Sequence, residues 1–100
     1  MNTYQTSSGE RIKKSIIDLN IRRAKILKLD ALDYKYCERC GRTDDRLDLS
    51  HIISVKECQE SGRSELAYDV KNLELLCRKH HLEIEAMSKK EREQFYIDRL

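Results

Sequence analysis

Apolar residues recur at three- and four-residue steps along the first third of the chain: Ile17, Ile21, Ala24, Leu27 and Ala31. That spacing predicts a helix from Gly9 to about Ala31 with Ser8 as its N-cap, behind a loosely tied tail over residues 1–8. The pattern then changes period. Leu47, Leu49 and the stretch His51 to Ile53 alternate as a strand does, and Leu73 to Leu76 suits a second short strand paired with it. Between them Cys58 to Leu66 is polar, holds Gly62 and reads as a surface loop. A helical stretch is expected after Cys77, running to about Met87. Ser88-Lys89-Lys90-Glu91 has the form of a capping box and opens a last helix toward Leu100.

These elements describe an α+β fold: a long N-terminal helix, a two-stranded unit with a helix behind it, and a short C-terminal helix. The 100 residues fit one small domain with a modest core, and a core of this size gains much from a staple. We divide it into a tail and helix (1–36), a central unit (37–87) and a closing helix (88–100). Apolar and charged residues are nearly balanced at 39% and 38%, and no apolar run nears the roughly 20 residues that span a bilayer. The expectation is an intracellular protein with no membrane partner. Residues 1–30 hold seven Lys or Arg against three acids, although the net charge is only +2. A basic first helix suits a polyanion. Its apolar positions serve equally as a dimer seam.

Four cysteines change the picture. Cys37 and Cys40 form a C-x-x-C pair followed by Gly41, and Cys77 and His80 form a C-x-x-H pair. Two residues between ligands let both side chains reach one ion from a single turn. The four together make the closed Cys3His set that suits structural Zn2+. Cys58 is an alternative fourth ligand, but it has no paired partner and reads better as a packed thiol.

Between the two pairs lies Leu47-Asp48-Leu49-Ser50-His51-Ile52-Ile53-Ser54, then Val70-Lys71-Asn72-Leu73-Glu74-Leu75-Leu76-Cys77-Arg78-Lys79-His80-His81. Over residues 37–87 the chain resembles the HNH endonuclease family, whose ordered His, Asn and His fall here at His51, Asn72 and His81. The resemblance implies a treble-clef-like ββα-metal fold stapled by zinc. It implies that His51 is the general base, that His81 binds a catalytic divalent ion such as Mg2+ or Mn2+, and that Asn72 fixes His51 or helps position the metal. It further implies DNA as the partner and a bacterial or phage origin. Arg42, Arg46, Arg78 and Lys79 lie close enough in sequence to touch phosphate.

Two positions depart from the family pattern. Ser50 stands where many members carry an Asp or His that ligates the metal, and Ser54 stands where many carry Pro. Asp48 shares the strand face of Ser50 and is a candidate replacement. The competing functions are a non-catalytic zinc module that binds nucleic acid or protein, and an accessory nuclease subunit active only within a larger assembly.

Overall fold

A computed structural model describes residues 3–100. Its elements in chain order are β1 (Thr3–Gln5), β2 (Arg11–Lys13), α1 (Lys14–Asp30), β3 (Leu47–His51), α2 (Val55–Glu60), two 3-10 turns (Ser64–Tyr68 and Val70–Asn72), β4 (Leu73–Cys77), α3 (Arg78–Ala86) and α4 (Lys89–Asp98). The fold is α+β, with two separate two-stranded antiparallel sheets.

The expected tail and first helical turns are instead a hairpin. Tyr4 lies opposite Ile12 in the β1–β2 register, and both pack against the main core. Gly9 takes the left-handed φ of +88° that the turn needs, and Ser7 anchors the turn by donating from its amide and hydroxyl to Glu65 at 2.9 and 2.7 Å. The N-cap is therefore Lys13 in extended backbone with no side-chain cap bond, and Ser8 bonds Thr6 within the turn. The tail expected at Met1 and Asn2 lies outside the described residues.

Within α1 the buried face runs through Ile17, Ala24 and Lys28, while Leu27 is 61% exposed. The predicted stripe drifts off the core in its last turn because Lys28, not Leu27, faces inward. Its ammonium reaches Glu38 at 2.7 Å, so burial of the charge is compensated.

The segment expected as a surface loop is ordered and partly core. Ser54 caps α2 by accepting from the Glu57 amide, so this serine performs a helix-opening role. Cys58, Ser64 and Ala67 are fully buried. Cys58 has its Sγ 3.6 Å from the Ile53 carbonyl and sits in the main core with Ile17, Ile52, Ile53, Ala67 and Tyr96.

β3 and β4 pair from Leu47↔Cys77 to His51↔Leu73. Every residue of β4 is buried, which its run Leu-Glu-Leu-Leu-Cys allows only because Glu74 is paired. Arg39 and Arg99 bond its two carboxylate oxygens at 3.0 and 2.6 Å. Leu76, Cys77 and Ile84 form a second small core with Cys37, so the β3–β4 ribbon carries one core against the knuckle and leads into the other. Ser88 and Glu91 form the expected capping box at the start of α4.

Candidate metal centre and active-site groove

The knuckle around Cys37 and Cys40 is a tight turn. The Gly41 amide donates to the Cys37 carbonyl at 2.8 Å, and the Cys37 amide donates to Arg42 at 2.9 Å. Gly41 takes a φ of +76°, which a side chain would strain. Glu38 clamps this turn to β4: its amide donates to the Leu75 carbonyl, and its carboxylate accepts from the Leu75 amide. Cys77 ends β4 and caps α3 without a side-chain cap bond, which leaves its sulfur facing the knuckle.

The ligand atoms of Cys37, Cys40, Cys77 and His80 all lie within 4.8 Å of one another. His80 Nδ1 is 3.2 Å from the Cys77 sulfur and 3.6 Å from that of Cys37, and the Cys40 and Cys77 sulfurs are 3.9 Å apart. Ligands tetrahedrally bound to zinc at about 2.0–2.3 Å lie about 3.3–3.8 Å from one another. The quartet thus fits a zinc ion with little rearrangement. Burial pushes the Cys37 thiol up, but hydrogen bonds from the backbone of Cys77, Cys40 and Arg39 outweigh it and bring the pKa down to about 6. Cys58 is not part of the cluster.

Beside this centre, across β3 and α3, runs a groove of about 340 Å³. His51, His81, Ser50, Glu57, Glu85 and Arg92 all line it. His51 ends β3, and its Nε2 lies 2.8 Å from the Ala67 carbonyl. A carbonyl only accepts, so Nε2 carries the proton and the lone pair of the neutral ring is on Nδ1. Burial holds the imidazole's pKa below its ordinary value. The nearby Lys25 cation adds to this, and the Ala67 bond partly offsets it.

Asn72 forms no hydrogen bond with the His51 ring. Fully buried, its side chain accepts from the Ile53 amide at 2.8 Å and donates to the Ile53 and Leu66 carbonyls at 2.9 Å each. Its own carbonyl accepts from the Ile52 amide. It therefore holds the backbone immediately after His51 and ties that backbone to the 3-10 turn.

His81 stands in the first turn of α3. Its Nδ1 is 3.5 Å from an Asp48 oxygen and its Nε2 is 3.3 Å from Glu85. Ser50 is buried and its hydroxyl has only a long 3.5 Å contact with the backbone of His51. Of the four arginines and lysines near the motifs, Arg42 pairs with Asp44 and Asp45, and Arg46 with Asp48. Arg78 and Lys79 are exposed and form no ion pair among the described residues.

Sequence reading missed Ala67, Lys25, Glu57, Arg92 and Glu85 as neighbours of the site. Only Glu85 carried a signal, being four residues after His81 on one helix face. Glu57 and Ala67 come in with the helix and turn at the expected loop, and Lys25 and Arg92 come from α1 and α4, whose approach to the site the sequence does not show.

Two closely paired strands followed by a helix, with a Cys3His quartet binding the knuckle to the helix start, define a small zinc-knuckle ββα protein. The family model described as HNH endonuclease matches residues 37–86, half of the chain, and the protein belongs to that family. No curated protein and no solved structure matched the chain. No helix among the described residues is long and apolar enough to cross a membrane.

Proposed function

We propose that the protein is a metal-dependent endonuclease that hydrolyses DNA phosphodiester bonds in the groove between β3 and α3. The observation that carries this reading is the meeting of His51 and His81, from different elements, in one groove beside the Cys3His centre.

In this reading His51 is the general base. Its free Nδ1 takes a proton from water as the water oxygen bonds to phosphorus. The bond from phosphorus to the leaving sugar oxygen breaks, and that oxygen takes a proton from solvent. A divalent ion such as Mg2+ or Mn2+, held through His81, supplies Lewis-acid stabilisation of the charge that builds on the phosphate. Asn72 is a positioning residue that acts through the backbone after His51. Cys37, Cys40, Cys77 and His80 hold a structural zinc, which suits a reducing, intracellular compartment. Residues 1–100 act as one domain. Arg22, Arg23 and Lys25 on α1 form no ion pair among the described residues and bind the DNA backbone without reading its sequence.

Supercoiled plasmid incubated with the zinc-loaded protein and Mg2+, Mn2+ or EDTA tests this. Relaxation or linearisation that requires added metal and disappears in His51→Ala of unchanged zinc content is expected. A folded, zinc-loaded wild type that is silent in every metal overturns free-standing catalysis.

One observation favours a second reading. Ser50, buried and neutral, precedes His51 where a charged metal ligand is common in the family. A weakened site fits a zinc module that only binds, or a subunit that cuts only with partners. Activity that appears on adding a partner or a second copy separates the last of these.

A further inference from the structure

The two nitrogens of His81 face different carboxylates. Nδ1 is enclosed and forms no hydrogen bond, and the Asp48 Oδ2 stands 3.5 Å away. The other Asp48 oxygen is held by Arg46 at 3.1 Å, which fixes the carboxylate on β3. Nε2 has Glu85 Oε1 at 3.3 Å, one helical turn further along α3. His81 and Glu85 line the groove together with His51 and Ser50. Two atoms bound side by side to one octahedral Mg2+ at about 2.1 Å lie about 3 Å apart, so the Nε2 and Oε1 positions already suit a shared ion.

We propose that Glu85 is the second protein ligand of the divalent ion held by His81, in place of the side chain missing at Ser50, and that Asp48 is the positioning carboxylate that takes the His81 Nδ1–H. The proposal rests on the nuclease reading for the identity of the ion. A carboxylate that accepts from the far nitrogen directs the lone pair of the near one at the metal. The other acid in the groove is not free for this role. Glu57 is ion-paired with Arg92 and accepts from the Ser54 hydroxyl at 3.1 Å. Glu85 is largely exposed and meets no cation among the described residues, so its charge is available to an added ion. Two protein ligands leave the remaining positions to phosphate and water, the arrangement Mg2+ prefers.

The test reads metal binding without DNA. Zinc-loaded wild type, Glu85→Gln and Glu85→Gln combined with Ser50→Asp are titrated with Mn2+, and free Mn2+ is followed by electron paramagnetic resonance. The Mn2+ dissociation constant is expected to rise about tenfold or more in Glu85→Gln and to recover in the double variant, with zinc content unchanged. Glu85→Gln within about twofold of wild type, or a wild type that takes up no Mn2+, overturns the ligand assignment. For Asp48, ring-nitrogen NMR of His81 at saturating Mg2+ is expected to report the Nδ1–H tautomer in wild type and a shift toward Nε2–H in Asp48→Asn. A wild type already in the Nε2–H form overturns that role. Mn2+ binding lost in Glu85→Gln while the wild type leaves plasmid intact sinks the nuclease reading alone. Plasmid cutting with Mn2+ affinity unchanged in Glu85→Gln sinks the ligand alone.

Discussion

His51 donates from Nε2 to the carbonyl of Ala67 at 2.8 Å, and this one bond selects which nitrogen can act as a base. Ala67 belongs to the 3-10 turn Ser64–Tyr68, which is packed against α1. The first helix thereby supports, through this turn, the backbone that holds the His51 ring.

The pH dependence of cleavage follows from the environment of that ring. Burial first, and then the Lys25 cation, lower the His51 pKa, so the ring stays neutral to a lower pH than an ordinary histidine. A base acts in its neutral form. Cleavage should therefore fall on the acid side only once the pH passes below the usual histidine value. In Lys25→Met the acid limb should move toward higher pH. A kcat/KM profile of the two proteins checks this, and an acid limb that moves to lower pH in Lys25→Met contradicts it.

Asn72 should matter to the fold before it matters to the chemistry. Its side chain makes two bonds to the buried backbone of Ile53 and one to the half-buried Leu66 carbonyl. Each buried group left unpaired costs about 1–3 kcal/mol. Asn72→Ala should destabilise the protein by about 3 kcal/mol in urea unfolding, and the remaining folded protein should cleave poorly because the chain after His51 is released. A change below about 1 kcal/mol shows that the anchor is not structural.

The strand ribbon, the helix after Cys77, the Ser88 capping box and the metal quartet were all legible in the sequence, because each rests on local spacing. The N-terminal hairpin was not. Its strands are only three residues each, and they exist because Tyr4 and Ile12 find the core and Ser7 finds Glu65, a contact 58 residues away. The buried turns over residues 55–68 were hidden for a similar reason: polar composition reads as a loop, whereas Cys58, Ser64 and Ala67 are fully buried, Cys58 and Ala67 in one core with Ile17 of α1 and Tyr96 of α4. The groove inherits this. The family resemblance pointed to His51 and His81, and Asp48 was legible as a carboxylate on the strand face of Ser50, but the pairings of Asp48 with His81 and of Ala67 with His51 come from geometry, and Glu85 was reachable only through its one-turn step after His81.

The cysteines should separate by chemistry. Burial pushes the Cys58 thiol up to about 12, and it lies in the main core away from the metal centre. With zinc bound, a thiol-reactive dye should find no fast-reacting cysteine. Chelation should expose Cys37, Cys40 and Cys77 together with loss of near-ultraviolet circular dichroism, since removal of a structural zinc from so small a protein removes folding free energy. Cys58 should react last, and Cys58→Ala should keep one zinc per chain. Loss of zinc in that variant reverses the assignment of the fourth ligand to His80.

The last prediction concerns Glu74, the acid inside an otherwise apolar strand. Its two oxygens bond Arg39 of the knuckle and Arg99 at the end of α4, so one side chain joins three parts of the chain. Arg39 also lies 4.2 Å over the Phe95 ring, which packs against the main core. A buried charge deprived of its partner costs about 3–5 kcal/mol. Glu74→Gln leaves two arginines facing a neutral amide and should lower stability by about 3 kcal/mol. Arg99→Ala should cost less, about 1–2 kcal/mol, because its guanidinium is partly exposed and Arg39 still pairs the carboxylate. A double-mutant cycle in urea should then show that the two losses do not add. Additive losses mean that Arg99 is held by the Leu73 carbonyl, 3.3 Å away, and not by Glu74, and the closing helix is then tied to the strand backbone alone.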